Sequence, residues 1–355
     1  MRDAGRFLHE LFYDSDTLFA AWSAAAHQAW AARGMSSVLL DVLFQLAAAA
    51  AVAVFFVLNA LFIIYFERKV AARMQVRRGP NRVGPLGLLQ TLADTIKLLI
   101  KEDIIPDAAD KAVFRVAPLI VLAATFLLFL VLPFGKGLIA ADINVGLVYF
   151  LAIGSLSVIG ILAGGWASNN KYSLMGGMRS AAQIVSYEVP AVLTVLSVAM
   201  LAGSLKMGDI VKAQPVYGYV VLQPVGFILF LIASNAEINR APFDLPESDS
   251  ELVSGFVTEY SAMRFAFFFL GEYTNLFLAG AFATTFFLGG WRGPFLPPIV
   301  WFLLKTYFVI FILVWARWTF PRLRVDHLMQ FSWKFLLPLA LANLVVMAVW
   351  LWMQS

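Results

Sequence analysis

The chain has no cysteine among its 355 residues and only three histidines, His9, His27 and His327. The first absence removes disulfides, thiolate metal sites, cysteine-ligated iron–sulfur clusters and cysteine nucleophiles together. The wide separation of the histidines argues against a haem pair or a His-ligated metal centre. Charge is scarce too, since only 14% of residues are Asp, Glu, Lys or Arg. No GxGxxG follows a strand pattern and no GxxxxGK[ST] occurs, so there is no nucleotide fingerprint. Neither a Ser-His-Asp arrangement nor a basic nucleic-acid module is visible. What remains is apolar: 61% of residues are hydrophobic, with 32 Phe and 10 Trp. A soluble domain cannot cover that much apolar surface. The composition predicts an all-α polytopic membrane protein.

Eight segments are long and apolar enough to cross a bilayer, which takes about 20 residues each. They lie near 38–66, 113–133, 145–167, 184–203, 218–236, 262–289, 297–318 and 334–353. The first and sixth are long and are expected to tilt or project. An even number puts both termini on one side. The connections at 67–112, 168–183, 237–261 and 317–334, with the adjoining helix ends, carry 18 of the 26 Lys and Arg. The positive-inside rule assigns these to the cytoplasm and both termini to the opposite side. Residues 1–37 read as a separate extension before a membrane domain of 38–355. Asp3, Glu10, Asp14 and Asp16 deny the extension a signal-peptide core. Leu8, Leu11, Leu18, Trp22 and Ala25 recur at helical spacing, so 5–32 reads either as an amphipathic interfacial helix or as a frayed extension.

The acids are unevenly placed. Residues 234–260 hold Glu237, Asp244, Glu247, Asp249, Glu251 and Glu259 against one base, Arg240. Crowded carboxylates beside a membrane repel one another and resist desolvation. Glu247, Asp249 and Glu251 alternate. An extended backbone puts all three on one face, and a helical one pairs Glu247 with Glu251. Two readings stand here: a shared-proton cluster, or a solvated loop that docks a basic partner.

Four charges fall inside or at the edge of spans: Asp41, Glu188, Glu272 and Lys305. Asp41 is near enough to its span's end to be interfacial. Lys305 either snorkels or pairs with Glu272. Glu188 precedes Pro190, which frees a backbone carbonyl one turn earlier and invites water or a polar neighbour. Glu188 and Glu272 are candidates for a proton path.

The other large connection is basic. Glu67, Arg68, Lys69, Arg73, Arg77, Arg78 and Arg82 concentrate charge at the membrane surface, and Gly79-Pro80-Asn81 and Gly84-Pro85 fix turns. Residues 86–101 then repeat Leu88/Leu89, Leu92, Ile96 and Leu99, which predicts an amphipathic interfacial helix with Asp94 on or near its polar side.

Four stretches, ERKVAARMQVRRGPNRVGPLGLLQTLADTIKLLIKED (67–103), QIVSYEVPAVL (183–193), EINRAPFDLPESDSELVSGFVTEYSAMRFAFFFLGEYTN (237–275) and RWTFPRLRVDHLMQFSWKFLLPLAL (317–341), resemble the quinone-channel membrane subunit of respiratory complex I. The resemblance runs from about 38 to 353. It implies a tilted bundle of eight spans in a bacterial inner membrane. With peripheral subunits, such a bundle forms a chamber for quinone as substrate, while iron–sulfur clusters and FMN are held by partner subunits and no cofactor by this chain. It also implies proton-coupling roles at Glu188, Glu237, Glu247, Asp249, Glu251, Glu259 and Glu272. Positions near the channel or docking surface are Arg68, Arg77, Asp94, Arg317, Arg322, Arg324 and Asp326. Asp249 stands where relatives more often have Glu, and nothing carries over to the first 37 residues. A membrane anchor of a hydrogenase- or ferredoxin-linked complex shares this fold, and a stand-alone proton-coupled transporter is the other class; no convincing internal repeat favours the latter.

Overall fold

The computed structural model describes residues 37–246 and 249–354, together with Ala25. The amphipathic helix expected over 5–32 lies outside the described residues. Every regular element among the described residues is helical: α1 Ser37–Met74, α2 Gln90–Ile100, α3 Lys111–Leu128, α4 Gly146–Ala167, α5 Lys171–Ala202, α6 Met207–Ala213, α7 Tyr219–Leu222, α8 Pro224–Glu237, α9 Asp249–Leu252, α10 Ala262–Phe287, α11 Pro298–Thr319, α12 Val325–Phe331 and α13 Leu337–Gln354. Seven helical stretches are long and apolar enough to span a membrane, and α8 is a shorter apolar helix.

The eight sequence segments all become helices, with three corrections to their limits. α1 does not stop at residue 66. At about 1.5 Å per residue its 38 residues extend roughly 57 Å, against an apolar core of about 30 Å. Ala, Arg, Lys and Met after the span are good helix formers, so the helix runs on almost to Gly79-Pro80. α5 begins at Lys171, capped by Asn170, whose side chain accepts from the Tyr172 amide, so most of the connection expected at 168–183 is helical. Its Gly176 is needed for close approach: a Cβ there would lie 2.7 Å from the Gly255 Cα. The fifth span is broken. The single turn of α7 ends at Gln223, and the 14 residues of α8 restart at Pro224, whose missing N–H costs nothing in a first turn.

Pro190 does not break α5. The proline leaves the Ser186 carbonyl without its helical donor, and the Ser332 hydroxyl donates to that oxygen at 2.6 Å. Ser332 reaches it from a π-helical turn, Ser332–Leu336, at the head of the last span. The polar neighbour expected from the sequence is thus a serine on another helix.

α10 occupies the centre, packed by α1, α3, α8 and α11. Phe277, Phe282, Phe286 and Phe287 on it are fully buried. Lys305 does not pair with Glu272. Its ammonium donates to the carbonyls of Leu288 and Arg292 at 2.7 Å and of Gly290 at 3.1 Å, satisfying backbone left open past the end of α10.

Candidate functional site

The first surprise is Glu67. Its neighbours in sequence are Arg68 and Lys69, which suggests a surface residue, yet Glu67 is only 3% exposed. The extension of α1 carries it past the apolar run and turns it inward. Arg240 donates from Nη1 to Glu67 Oε2 at 2.7 Å and from Nε to Glu272 Oε1 at 2.9 Å. Arg317 closes on the other Glu67 oxygen at 2.5 Å. The Arg240 guanidinium also lies over the Tyr273 ring, 4.4 Å from its centroid. Two cations and two carboxylates make the group formally neutral, which is what permits ionised side chains in this interior. Burial opposes the charge on Arg240, but Glu67 and Glu272 outweigh it and hold the guanidinium above the ordinary arginine range.

Arg240 is aimed by its loop. On α5, the Gln183 amide donates to the carbonyls of Ala236 and Phe243, at 2.8 and 2.7 Å, and to Asn239 Oδ1 at 3.1 Å. Asn239 donates in turn to the Ser180 hydroxyl at 2.9 Å. These bonds pin both ends of the segment that presents Arg240.

Two cavities continue the line inward. One, of about 180 Å³, is lined by Glu272 and Glu237 behind a wall of Phe256, Phe265, Phe268 and Phe269. The other, of about 80 Å³, is lined by Glu237 and Glu188. Ser155 on α4 donates to a Glu188 carboxylate oxygen. The carboxylates of three spans, Glu188 on α5, Glu237 at the end of α8 and Glu272 on α10, therefore border one chain of adjoining spaces. That chain ends at Arg240, Glu67 and Arg317.

The remaining candidates lie elsewhere. Arg68 and Asp94 meet at 2.5 Å where α2 rests on α1, and Gln90 also donates to Asp94. α2 is one turn shorter than expected at its start, because Leu86 takes a left-handed conformation in the turn Pro85–Gly87. Arg77 is exposed and donates to Gln75 at 2.6 Å. Glu251 pairs with Arg179 at 2.6 Å, and Glu259 accepts from Asn170 at 2.6 Å. Glu247 lies outside the described residues, as does the Asp249 side chain, so the spacing of the alternating acids is not described. Arg322 pairs with Asp244 at 3.0 Å, and Arg324 and Asp326 are exposed. Beside these last residues an apolar groove of about 630 Å³ opens between α8 and α11.

The sequence offered a partial signal for what it missed. Arg240 stood out as the lone base among six acids, and only the fold shows that two of its partners come from α1 and α10. For Glu67 there was no signal, because its side of the helix is set by the helix running on past the membrane.

Fold and site together define a polytopic helical membrane protein with a buried line of paired and cavity-facing carboxylates. A family model described as NADH dehydrogenase matches residues 47–348, and the chain belongs to that family. It is similar to the H subunit of NADH-quinone oxidoreductase from Carboxydothermus hydrogenoformans, 52% identical over 310 residues that cover 86% of this chain and 89% of the relative. The corresponding H subunit of Dehalococcoides mccartyi strain CBDB1 is 54% identical over 294 residues, 83% of each chain. The first H subunit of Geobacter metallireducens is 50% identical over 321 residues, 88% of this chain and 98% of the relative.

Proposed function

We propose that this chain acts as the H subunit, a membrane component, of a proton-translocating NADH-quinone oxidoreductase. It forms the quinone chamber with peripheral subunits and couples quinone reduction to proton movement through its carboxylates. The observation that carries the reading is the chain of spaces shared by Glu188, Glu237 and Glu272, joined to the Arg240–Glu67–Arg317 group. A change of charge on a quinone near that group alters the field on Glu272, and the shared cavities pass the change to Glu237 and Glu188.

The finer parts of the reading follow the sequence. The chain lies in a bacterial inner membrane with both termini on the periplasmic side, as the distribution of Lys and Arg favours. Quinone is the substrate. The iron–sulfur clusters and FMN belong to partner subunits, in keeping with a chain that has no cysteine. Arg68, Asp94 and Arg77 border the chamber on the α1–α2 side, and Arg317 borders it from α11. Glu247, Asp249, Glu251 and Glu259 form the cytoplasmic end of the acidic line. Arg322, Arg324 and Asp326 lie toward its docking surface.

The test is Glu237→Gln and Glu272→Gln in the assembled complex. Subunit content is read by native gel, alongside NADH:quinone turnover and proton-gradient formation in membrane vesicles. Both variants should assemble while turnover and gradient fall together. Full turnover and full gradient formation in both would refute the coupling role.

A further inference from the structure

The two cavities share four lining residues, Ser157, Glu237, Ile238 and Asn275. Glu237 is the only acid among them, so the way on to Glu272 passes groups that do not ionise. Building on the coupling role of the carboxylates, we propose that Asn275 is the positioning residue that holds the water through which a proton crosses between Glu237 and Glu272.

Three observations place it there. Asn275 follows Glu272 by three residues and precedes Ala279 by four, so all three lie on one face of α10, and each lines a cavity. Its amide offers two donors and a two-lone-pair acceptor. Among the described residues no protein group partners that amide, although a polar side chain inside a span is expected to be satisfied by protein or ordered water. Asn239 also lines the larger cavity, but its amide is committed to Gln183 and Ser180. Asn275 is therefore the free amide on this path.

The spaces are large enough for water, and a few polar groups face them. At roughly 30 Å³ per water, cavities of about 80 and 180 Å³ hold a few waters and about six. Ser157 faces the same junction. Its hydroxyl proton goes to the Gly154 carbonyl at 2.8 Å, leaving the oxygen to accept. The Phe wall of the larger cavity supplies no competing hydrogen-bond partner.

The step balances without a redox partner. The carboxyl O–H of protonated Glu237 breaks as its proton passes to the held water, and that water gives another of its protons to a Glu272 carboxylate oxygen. Glu237 becomes the carboxylate and Glu272 the acid. The Asn275 amide accepts and donates hydrogen bonds throughout and does not titrate. Neutralising Glu272 weakens its bond to Arg240, so the transfer is felt at Glu67 and Arg317.

The test compares Asn275→Val with Asn275→Thr in the intact complex, since the two side chains have nearly the same shape and differ by one hydroxyl. Asn275→Val should assemble on a native gel yet lose turnover and proton-gradient formation by at least about tenfold. Asn275→Thr should keep most of both. Equal rates in the two variants, whether both high or both low, would overturn the proposal, because packing alone then sets the effect. If Asn275→Val does not assemble, Asn275→Ala and Asn275→Ser make the same comparison with smaller side chains, and equal rates in those two would also overturn it. Glu237→Gln and Glu272→Gln run in parallel. If they abolish coupling while Asn275→Val does not, this inference alone fails. If they leave coupling whole, the broader reading fails with it.

Discussion

Replacing Arg240 with methionine probes the buried group most directly. The Arg240 side chain is 2% exposed, that of Glu67 4% and that of Glu272 18%. Met fills most of the same volume and removes the charge. Glu67 keeps Arg317 on its other oxygen. Glu272 loses its ion pair, and Tyr273 loses the cation over its ring. Removing one partner of a buried pair costs about 3–5 kcal/mol, because the remaining charge stays desolvated and unpaired. Against a typical stability of about 5–15 kcal/mol this is a large fraction. At about 2 °C per kcal/mol, the purified complex should melt at least about 6 °C lower. Adding Glu272→Gln removes the stranded charge and should recover at least about 1 kcal/mol, a coupling visible in the four-variant cycle. The assay is thermal melting in detergent, with complex content by native gel. An Arg240→Met complex that melts within about 1 °C of the parent, or a double variant whose loss is simply the sum of the two singles, would refute the ion-pair account. Arg240→Lys should rescue little, since a single ammonium cannot reach both carboxylates in the fork geometry of a guanidinium.

Ser332→Ala should cost about 1–3 kcal/mol by leaving the Ser186 carbonyl unmet, and Pro190→Ala in the same chain should remove most of that loss by restoring a helical donor; additive losses in melting would contradict it. Cysteines placed at Asn169 and Gln354 should label from opposite sides of the membrane, and labelling from one side would end the proposed orientation. Glu247→Gln with Glu251→Gln should assemble but lower turnover and gradient together. The Glu251–Arg179 pair is a half-exposed contact worth at most about 1 kcal/mol, so poor assembly that high salt reproduces would instead make the loop a docking surface. The half-buried Lys206 has its proton affinity raised by hydrogen bonding to Asp142. Lys206→Met should therefore lower the melting temperature slightly at neutral pH, and the difference should vanish as pH rises through the folded lysine's raised value; a pH-independent difference would assign the effect to packing.

The spans were legible because apolar length and the scarcity of charge follow directly from the cost of exposing peptide groups to lipid. Their ends were not. α5 runs back to Lys171 because Gly176 and Gly177 fit against the glycine backbones of neighbouring segments, a contact between residues distant in sequence. The fifth span breaks at Gln223 because Pro224 starts a new helix, and the hydropathy pattern passed smoothly over it. The carboxylates were legible as costly residues, and Glu188, Glu237 and Glu272 do border shared cavities. The Arg68–Asp94 contact joins two candidates that the sequence could only name separately.

The sequence by itself determined that this is a helical membrane protein, roughly where its spans lie, which acids are expensive to bury, and its resemblance to one family. Those conclusions rest on composition, period and local motif, all properties of neighbours along the chain. Only the tertiary structure decided that Glu67 is buried, that Arg240 bridges it to Glu272, and that Asn275 and Ser157 stand at the meeting of two cavities. Such facts depend on which faces of α1, α4, α8 and α10 meet, and packing of residues far apart in sequence sets that.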